Sequence, residues 1–263
     1  PMCGVPYHSS DGYIARLIAK GYKVAICEQT EDPALAKGLV KRDIIRVVTP
    51  GTVIDSACLD DRRGNFLSSV FFDDTNAGVA FCDMSTGRAH VTAFSGAERL
   101  EHLCNELVRF SPVEAVLSEG AYANASLVAM LRDKLSCSIE RGDKRFELKS
   151  AEKAICAQFG EEAYAALPKG NAAAALAVGA LLSYLYETQK CDLSYVNDLE
   201  YYEQGRFMEL DFAARRNLEL TETMREKSKK GSLLSVLDQT KTAMGARLLR
   251  KWVEQPQLSV AEM

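Results

Sequence analysis

Apolar residues near the start of the chain recur first at helical spacing and then at strand spacing. The helical set shares one face: Tyr13, Ile14, Leu17 and Ile18. Ser10 and Asp11 are suited to begin this helix and Gly21 to end it, because glycine adopts a left-handed conformation without strain. Residues 23–27 and 44–48 have the composition of strands. This part of the chain is therefore predicted to belong to a small α/β unit.

Polar and structure-breaking residues then separate this unit from the next. Asp32-Pro33 is typical of a helix start, because proline at the first helical position has no N–H to leave unpaired. Thr49-Pro50-Gly51-Thr52 interrupts the second strand pattern. Residues 55–65 are mostly polar, which predicts a linker and a domain boundary.

The middle of the chain predicts a mixed sheet covered by helices. Three blocks, residues 66–72, 78–83 and 88–94, are separated by short polar turns and predict an antiparallel meander. Helical spacing follows from residue 100 to residue 108, and residues 115–117 predict a short strand. A second helix at 127–135 and a strand at 137–139 complete this region. A meander followed by alternating helices and strands is the element order of an RNase H-like fold.

After residue 141 the pattern becomes mostly helical. Residues 151–159 and the alanine-rich run 172–186 predict helices, the second of them buried because alanine permits close packing. Residues 199–203 and 207–210 alternate like the two strands of a hairpin. The helical residues 212–220, 233–237 and 242–253 complete a third, mostly helical segment.

Several nucleotide and hydrolase motifs are missing from the sequence. No glycine is followed by lysine, so there is no P-loop to cradle phosphate. No two glycines are separated by a single residue, which removes the dinucleotide-binding fingerprint, and no G-x-S-x-G elbow occurs. These absences exclude the common ATP-binding, dinucleotide-binding and α/β-hydrolase sites.

The eight cysteines and three histidines do not form a metal-binding pattern. The cysteines are well separated and lie mostly within apolar stretches, so we interpret them as reduced core thiols. No C-x-x-C pair occurs, and the histidines are scattered, so we expect no zinc site.

Asp83 is the residue that best fits a catalytic role. It ends a predicted strand, and RNase H-like nucleases hold Mg²⁺ with carboxylates on such strands. Six other carboxylates are available as further ligands: Asp73, Asp74, Glu101, Glu106, Glu114 and Glu119. Turns and exposed helix faces explain these residues equally well, so the nuclease is the alternative hypothesis.

The net charge of −4 argues against nucleic-acid binding over the whole surface. A local basic cluster nevertheless lies in the first unit: Lys37, Lys41, Arg42 and Arg46. Alternation along a strand predicts that Arg42 and Arg46 share a face, where they would meet a DNA backbone. An edge strand protected by charge is the other interpretation.

Longer blocks of sequence resemble a known family. The first blocks are Pro1-Met2-Cys3-Gly4-Val5-Pro6-Tyr7-His8, Val24-Ala25-Ile26-Cys27-Glu28-Gln29 and Arg46-Val47-Val48-Thr49-Pro50-Gly51-Thr52. The later blocks are Arg215-Arg216-Asn217-Leu218-Glu219-Leu220, residues 234–237, Met244-Gly245, Arg247-Leu248-Leu249 and Trp252. Together they resemble the MutS family of DNA mismatch repair proteins, from the end of its mismatch-recognition domain into its core.

The resemblance implies three regions. Residues 1–55 would finish the mismatch-recognition domain, residues 61–166 would form the RNase H-like connector domain, and residues 168–263 would begin the mostly helical core, or lever, domain. The family's Phe-x-Glu wedge, its clamp and its ATPase would lie outside the chain, which we expect to be cut at both ends. The chain itself is therefore expected to have no catalytic residue and no cofactor, whereas its longer parent would use ATP and Mg²⁺.

The resemblance also implies partners and contact residues. Arg46, and with it Tyr7 and His8, would face mismatched double-stranded DNA, and the basic pattern adds Arg42. The connector would relay nucleotide state and offer a surface to MutL. The parent would be a homodimer in the bacterial cytoplasm, near the nucleoid and away from membranes. A pure scaffold that binds neither DNA nor MutL is a further alternative.

Overall fold

The computed structural model describes residues 2–31, 38, 40–53, 60–203, 205, 207–208 and 210–259. The predicted helix start at Asp32-Pro33, Lys37 of the basic cluster and residues 55–59 of the predicted linker lie outside these residues.

The described strands form two sheets. They are β1 (Val24–Gln29), β2 (Arg42–Val48), β3 (Phe66–Phe72), β4 (Asn76–Asp83), β5 (Arg88–Ser95), β6 (Glu114–Leu117), β7 (Ser138–Arg141) and β8 (Asp198–Tyr201). β1 and β2 pair antiparallel as a small sheet, the hairpin, and the other six strands form one larger sheet. The structure is therefore mixed α/β.

The described α-helices vary from one turn to more than four. They are α1 (Ser10–Ile18), α2 (Arg99–Phe110), α3 (Glu119–Ala123), α4 (Ala125–Ala129), α5 (Leu148–Phe159), α6 (Glu161–Ala165), α7 (Ala173–Gln189), α8 (Phe212–Asn217), α9 (Leu233–Leu237) and α10 (Ala243–Glu254). The first helix ends as predicted, with Gly21 in the left-handed region at φ +79°.

The large sheet has the strand order β7-β6-β3-β4-β5-β8. β3, β4 and β5 form the predicted antiparallel meander, while β6, β7 and β8 each join a neighbour in parallel. Asp73 stabilises the first turn by accepting hydrogen bonds from the backbone of Thr75 and Asn76. Burial alone would raise the pKa of Asp73, but these hydrogen bonds hold it below its ordinary value.

Helices cover both faces of the large sheet, so its central strands are buried on both sides. β4 is buried from its second residue to its last. One apolar cluster joins the sheet to α5 and α7, and the other joins it to α2 and the α3–α4 region. Glycine permits the closest contacts: a Cβ on Gly78 would lie 2.2 Å from the Ala173 carbonyl oxygen, and one on Gly179 would lie 2.2 Å from the Ala151 Cβ.

The structure places α7 and β8 with the large sheet. α7 packs on β3 and β4 with most of its residues buried, and β8 pairs parallel with β5. The boundary predicted at residue 168 therefore falls inside this packed layer. In the predicted hairpin of residues 199–203 and 207–210, the described residues pair elsewhere: β8 pairs with β5, and Phe207 bridges Gln257. Strand partners far along the chain leave no local sequence signal, which explains why the pairings of β8 and Phe207 were not predicted.

The last segment consists of short helices with side-chain caps. Asp211, Ser232 and Thr242 each accept a hydrogen bond from a backbone N–H in the first turn of α8, α9 and α10, respectively. Met244 and Trp252 on α10 are largely exposed. Among the described residues 210–259, the helices α8, α9 and α10 alternate with turns and loops, so less of this segment is helical than was predicted.

Candidate nucleic-acid interface

The hairpin carries the two arginines predicted to contact DNA, but a β-bulge separates them. Arg42 pairs with Gln29 and Ile44 with Cys27, whereas Arg46 pairs with Ile26 after a register shift. Cross-strand partners lie on one face of a sheet, and neighbouring residues of a strand lie on opposite faces. Arg42 and Arg46 therefore lie on opposite faces, and the prediction of a shared face is wrong.

The two arginines also differ in exposure and contacts. Arg42 is exposed, while Arg46 is half-buried. The Nη2 of Arg46 donates to the Thr52 carbonyl oxygen at 3.1 Å, and its Nε is buried without a hydrogen-bond partner among the described residues. Of the two arginines, Arg42 presents its charge to solvent and Arg46 does not, so they are unequal candidates for phosphate contact.

Tyr7 and His8 lie in a short 3-10 helix, Tyr7–Ser9, directly before α1. Both side chains are exposed, and Tyr7 retains 87% of its accessible surface. An exposed aromatic ring next to a histidine has the chemistry to stack on a base or donate to phosphate. Their role in DNA contact stays a prediction.

A buried carboxylate, Glu114, joins the hairpin to the large sheet. Glu114 begins β6 and is completely buried. Its Oε2 accepts hydrogen bonds from the Thr49 Oγ1 at 2.5 Å and from the Gly51 backbone N–H at 2.9 Å. Its Oε1 accepts a hydrogen bond from the Tyr184 hydroxyl at 2.6 Å. We call this set of contacts the first interface.

Lys23 completes the first interface with a positive charge. Its Nζ lies 3.4 Å from Glu114 Oε1 and 2.7 Å from Glu140 Oε2, and it also donates to the Tyr184 hydroxyl oxygen at 3.0 Å. Burial and the adjacent Glu114 carboxylate raise the pKa of Tyr184 well above its ordinary value, so this hydroxyl stays a donor. Every partner of the carboxylate is a donor, which suits an ionised Glu114.

The sequence contained a partial signal for this interface. The Thr49–Thr52 turn forms a capping box, in which the Thr52 hydroxyl oxygen accepts from the Thr49 backbone N–H and the Thr49 hydroxyl oxygen accepts from the Thr52 backbone N–H. A Cβ on Gly51 would lie 3.0 Å from the Glu114 Cβ, so the turn approaches the strand closely. The motif was visible in the sequence, but its carboxylate partner, 65 residues away, was not.

Asp83 has a structural environment. Its Oδ1 accepts hydrogen bonds from the Ser85 backbone N–H at 2.9 Å and from the Ser85 hydroxyl at 2.6 Å. Its Oδ2 lies 3.5 Å from Nη1 of Arg247 on α10. No group of three or more His, Cys, Asp or Glu within the described ranges is arranged to hold a metal ion. The nuclease alternative therefore has no support, and Asp83 caps a turn.

The Asp83–Arg247 contact belongs to a second interface, between the large sheet and the third segment. Arg247 also donates to the Asp61 carbonyl oxygen at 2.7 Å and to the Ser85 hydroxyl at 2.8 Å. A cleft of about 730 Å³ opens beside it, between the sheet and α10, and His90 and Trp252 are among its lining residues. This interface is more open than the first.

The cysteines only partly match the interpretation as core thiols. Cys82 and Cys137 are buried, and burial raises the pKa of the Cys82 thiol to about 12. Cys3, Cys27 and Cys191 are exposed, and all seven cysteines in the described part of the chain are free thiols.

Across the described residues, none of the helices combines the length and apolar character needed to cross a bilayer.

The fold and its two polar interfaces define a chain of linked units: an α/β hairpin unit, a mixed α/β sheet and a helical segment. Family models match them in the same order, with MutS domain I over residues 1–57, MutS domain II over residues 65–197 and MutS domain III over residues 213–263. The chain belongs to the MutS family of DNA mismatch repair proteins.

Curated relatives agree with this assignment. The chain is 47% identical over 264 residues to the DNA mismatch repair protein MutS of Acetivibrio thermocellus, covering 100% of this chain and 30% of that relative. It is 46% identical over 257 residues to the protein of the same name from Ruminiclostridium cellulolyticum, covering 97% of this chain and 29% of the relative. The chain thus spans about 30% of the length of the relatives it matches.

Proposed function

We propose that this chain is a non-catalytic part of a MutS-type DNA mismatch repair protein, connecting its mismatch-binding end to the rest of the molecule. The first interface is the observation that carries the proposal. It fixes a hairpin with an exposed arginine, Arg42, onto a sheet that also contacts the third segment through Arg247, at the turn between β4 and β5. A unit that contacts both of its flanking units is suited to connect them.

The middle unit is proposed to be an RNase H-like connector domain. Supporting this, the meander β3–β5 is extended on the β3 side by β6 and then β7, both parallel to β3. An antiparallel meander extended by two parallel strands, each reached through helices, is the arrangement expected for that fold. Here β8 adds a strand at the other edge.

The parent protein is proposed to supply the remaining functions. Its mismatch wedge, clamp and ATP- and Mg²⁺-dependent ATPase would lie outside this chain, and the parent would work as a homodimer in the bacterial cytoplasm. The connector would relay nucleotide state and offer a surface to MutL. A pull-down of MutL by the chain tests that surface, and no binding at micromolar concentrations would favour the pure scaffold.

DNA contact is proposed for the exposed Arg42, Tyr7 and His8, with Arg46 as a further predicted contact. In the parent, Arg42→Ala is expected to weaken binding of mismatched duplex by about 1 kcal/mol and to lower the salt dependence by about one counterion. Gel-shift titration at several salt concentrations measures both quantities. Lys149→Ala, at an exposed lysine on α5, is the control and should change neither. An unchanged affinity and salt slope would remove Arg42 from the interface.

Arg46→Ala separates phosphate contact from structural support. If Arg46 meets phosphate, the salt slope falls together with the affinity, by about 1 kcal/mol or more. If the residue only holds the Thr52 carbonyl oxygen, the free energy of unfolding falls and the salt slope stays constant.

A second experiment tests whether the isolated chain distinguishes mismatched from fully paired DNA. Because the proposed wedge lies outside it, the isolated chain is expected to show equal affinity for mismatched and fully paired duplexes. Fluorescence anisotropy with matched labelled duplexes measures the ratio. A reproducible preference for the mismatch would mean that a recognition element lies within these 263 residues.

A further inference from the structure

Glu114 is a buried ionisable side chain that the proposed DNA contacts do not use. It is completely buried, and its partners come from both sides of one boundary. Thr49, Gly51 and Lys23 lie in the unit that contains the hairpin, whereas Tyr184 lies on α7, which packs on the large sheet. The carboxylate is therefore the meeting point of two units.

The geometry requires a carboxylate at this position. Three hydrogen-bond donors and one ammonium group converge on its two oxygens, and an ionised carboxylate accepts from all of them. A neutral amide would turn an NH₂ group toward at least one donor. A shorter side chain would leave buried donors without an acceptor, which costs stability.

The turn that receives the carboxylate is shaped for it. The capping box between Thr49 and Thr52 orients the Thr49 hydroxyl and the Gly51 N–H toward the same oxygen. A side chain on Gly51 would crowd the Glu114 Cβ and Leu67 at 3.0 Å. The turn follows β2 directly, so its position sets the position of the hairpin.

We infer that Glu114 is a positioning residue: with the Thr49–Thr52 turn, Lys23 and Tyr184 it forms a polar lock that fixes the orientation of the hairpin on the large sheet. Each donor contributes to holding the hairpin, and the loss of one donor loosens the hairpin while the sheet stays intact. The lock is defined without reference to DNA; only its consequence for DNA affinity rests on the proposed function.

Hydrogen exchange of the backbone amides, measured on the whole chain without DNA, tests the lock. Thr49→Val removes a donor hydroxyl from the hairpin side at nearly constant shape, and Tyr184→Phe removes one from the sheet side. Each is expected to raise exchange of the β1 and β2 amides about fivefold, the factor for one net hydrogen bond. The amides of β3, β4 and β5 should exchange at the original rate.

Two variants serve as matched controls. Thr49→Ser keeps the hydroxyl and is expected to leave exchange in the hairpin close to that of the original chain. Ser183→Ala removes a hydroxyl next to Tyr184 that donates only to the exposed Glu187, and should also have no effect on the hairpin. Unchanged hairpin exchange in both Thr49→Val and Tyr184→Phe overturns the lock. An equal rise over β1 to β5 also overturns it, because Glu114 would then support global stability alone.

The same variants in the parent separate the lock from its proposed use. If the hairpin faces DNA, Thr49→Val lowers affinity for mismatched duplex in gel-shift titrations while Thr49→Ser does not. Faster hairpin exchange together with unchanged affinity would uphold the lock and contradict the proposed DNA contact of the hairpin.

Discussion

The two interfaces of the large sheet both use a buried carboxylate, but they are built differently. At the first, Glu114 has 0% of its surface exposed and four donor groups around it. At the second, Asp83 accepts its hydrogen bonds mainly from Ser85 of its own turn, and its 3.5 Å contact with Arg247 borders the open cleft.

This difference indicates where the molecule is held firmly and where it has room to adjust. A fully satisfied buried polar network favours one arrangement, because any displacement leaves charged or polar groups without partners. A contact beside an open cleft loses less when it opens, because water can replace the protein partner. We therefore expect the hairpin to be held to the sheet more firmly than α10 is.

The largest expected effect is that of Glu114→Gln. The amide turns donors toward donors at a buried site, so the free energy of unfolding should fall by about 3 kcal/mol. Urea titration followed by circular dichroism measures the change. Glu140→Gln, at a carboxylate that shares Lys23 but is part-exposed, is the control and should cost less than about 1 kcal/mol. Equal losses in the two variants would remove the distinction between a closed and an open contact.

Tyr184→Phe should have the next largest effect. It removes the hydroxyl that donates to Glu114 and leaves the ring in place, so we expect the free energy of opening of the hairpin, measured by hydrogen exchange of the β1 and β2 amides, to fall by about 1 kcal/mol. Tyr186→Phe on the same helix removes a hydroxyl from a more exposed ring and should cost less than about 0.5 kcal/mol. A smaller loss at Tyr184 than at Tyr186 would contradict the closed first interface.

Arg247→Ala tests the second interface and is expected to cost about 1 kcal/mol. Asp83 keeps its two hydrogen bonds from Ser85 when the guanidinium is removed, so the carboxylate stays satisfied. Thermal unfolding by calorimetry measures the loss, and hydrogen exchange should locate it in α10. A loss as large as that of Glu114→Gln would mean that the two interfaces are equally closed.

The smallest expected effect is the pH dependence from His90, which lies on β5 and lines the cleft. Burial lowers the pKa of His90 below its ordinary value, helped by Lys251 and Arg109 and opposed by Glu200. The stability that the neutral His90 ring contributes is therefore complete above a pH of about 6.5, the pKa of histidine in the unfolded chain. It is lost as the pH falls through the lower pKa that His90 has in the folded chain.

The measurement for His90 is the midpoint of urea unfolding at about pH 7.5 and about pH 5.5. Between these two pH values, the free energy of unfolding of the original chain should fall by up to about 1 kcal/mol more than that of the His90→Gln variant. An equal loss in both chains would exclude His90 as a source of acid sensitivity at the second interface.

Local chemistry was enough to predict much of the fold. Gly21 ends α1 because its left-handed conformation suits a helix end, and the short polar turns divide the meander into β3, β4 and β5. The missing P-loop excludes that kind of ATP site from the sequence itself. The blocks from Pro1 to Thr52 and from Arg215 to Trp252 identified the family, which the family models confirm.

The tertiary structure alone decided how these parts meet. The β-bulge puts Arg42 and Arg46 on opposite faces, because one extra residue inverts the alternation of every position after it. α7 packs on β3 and β4, where Gly78 approaches the backbone of Ala173, a residue far away in sequence. In the sequence, Glu114 could not be distinguished from a surface carboxylate, because the periodicity of a strand indicates only which face a residue occupies. Two of its hydrogen-bond donors lie 65 and 70 positions away in the sequence.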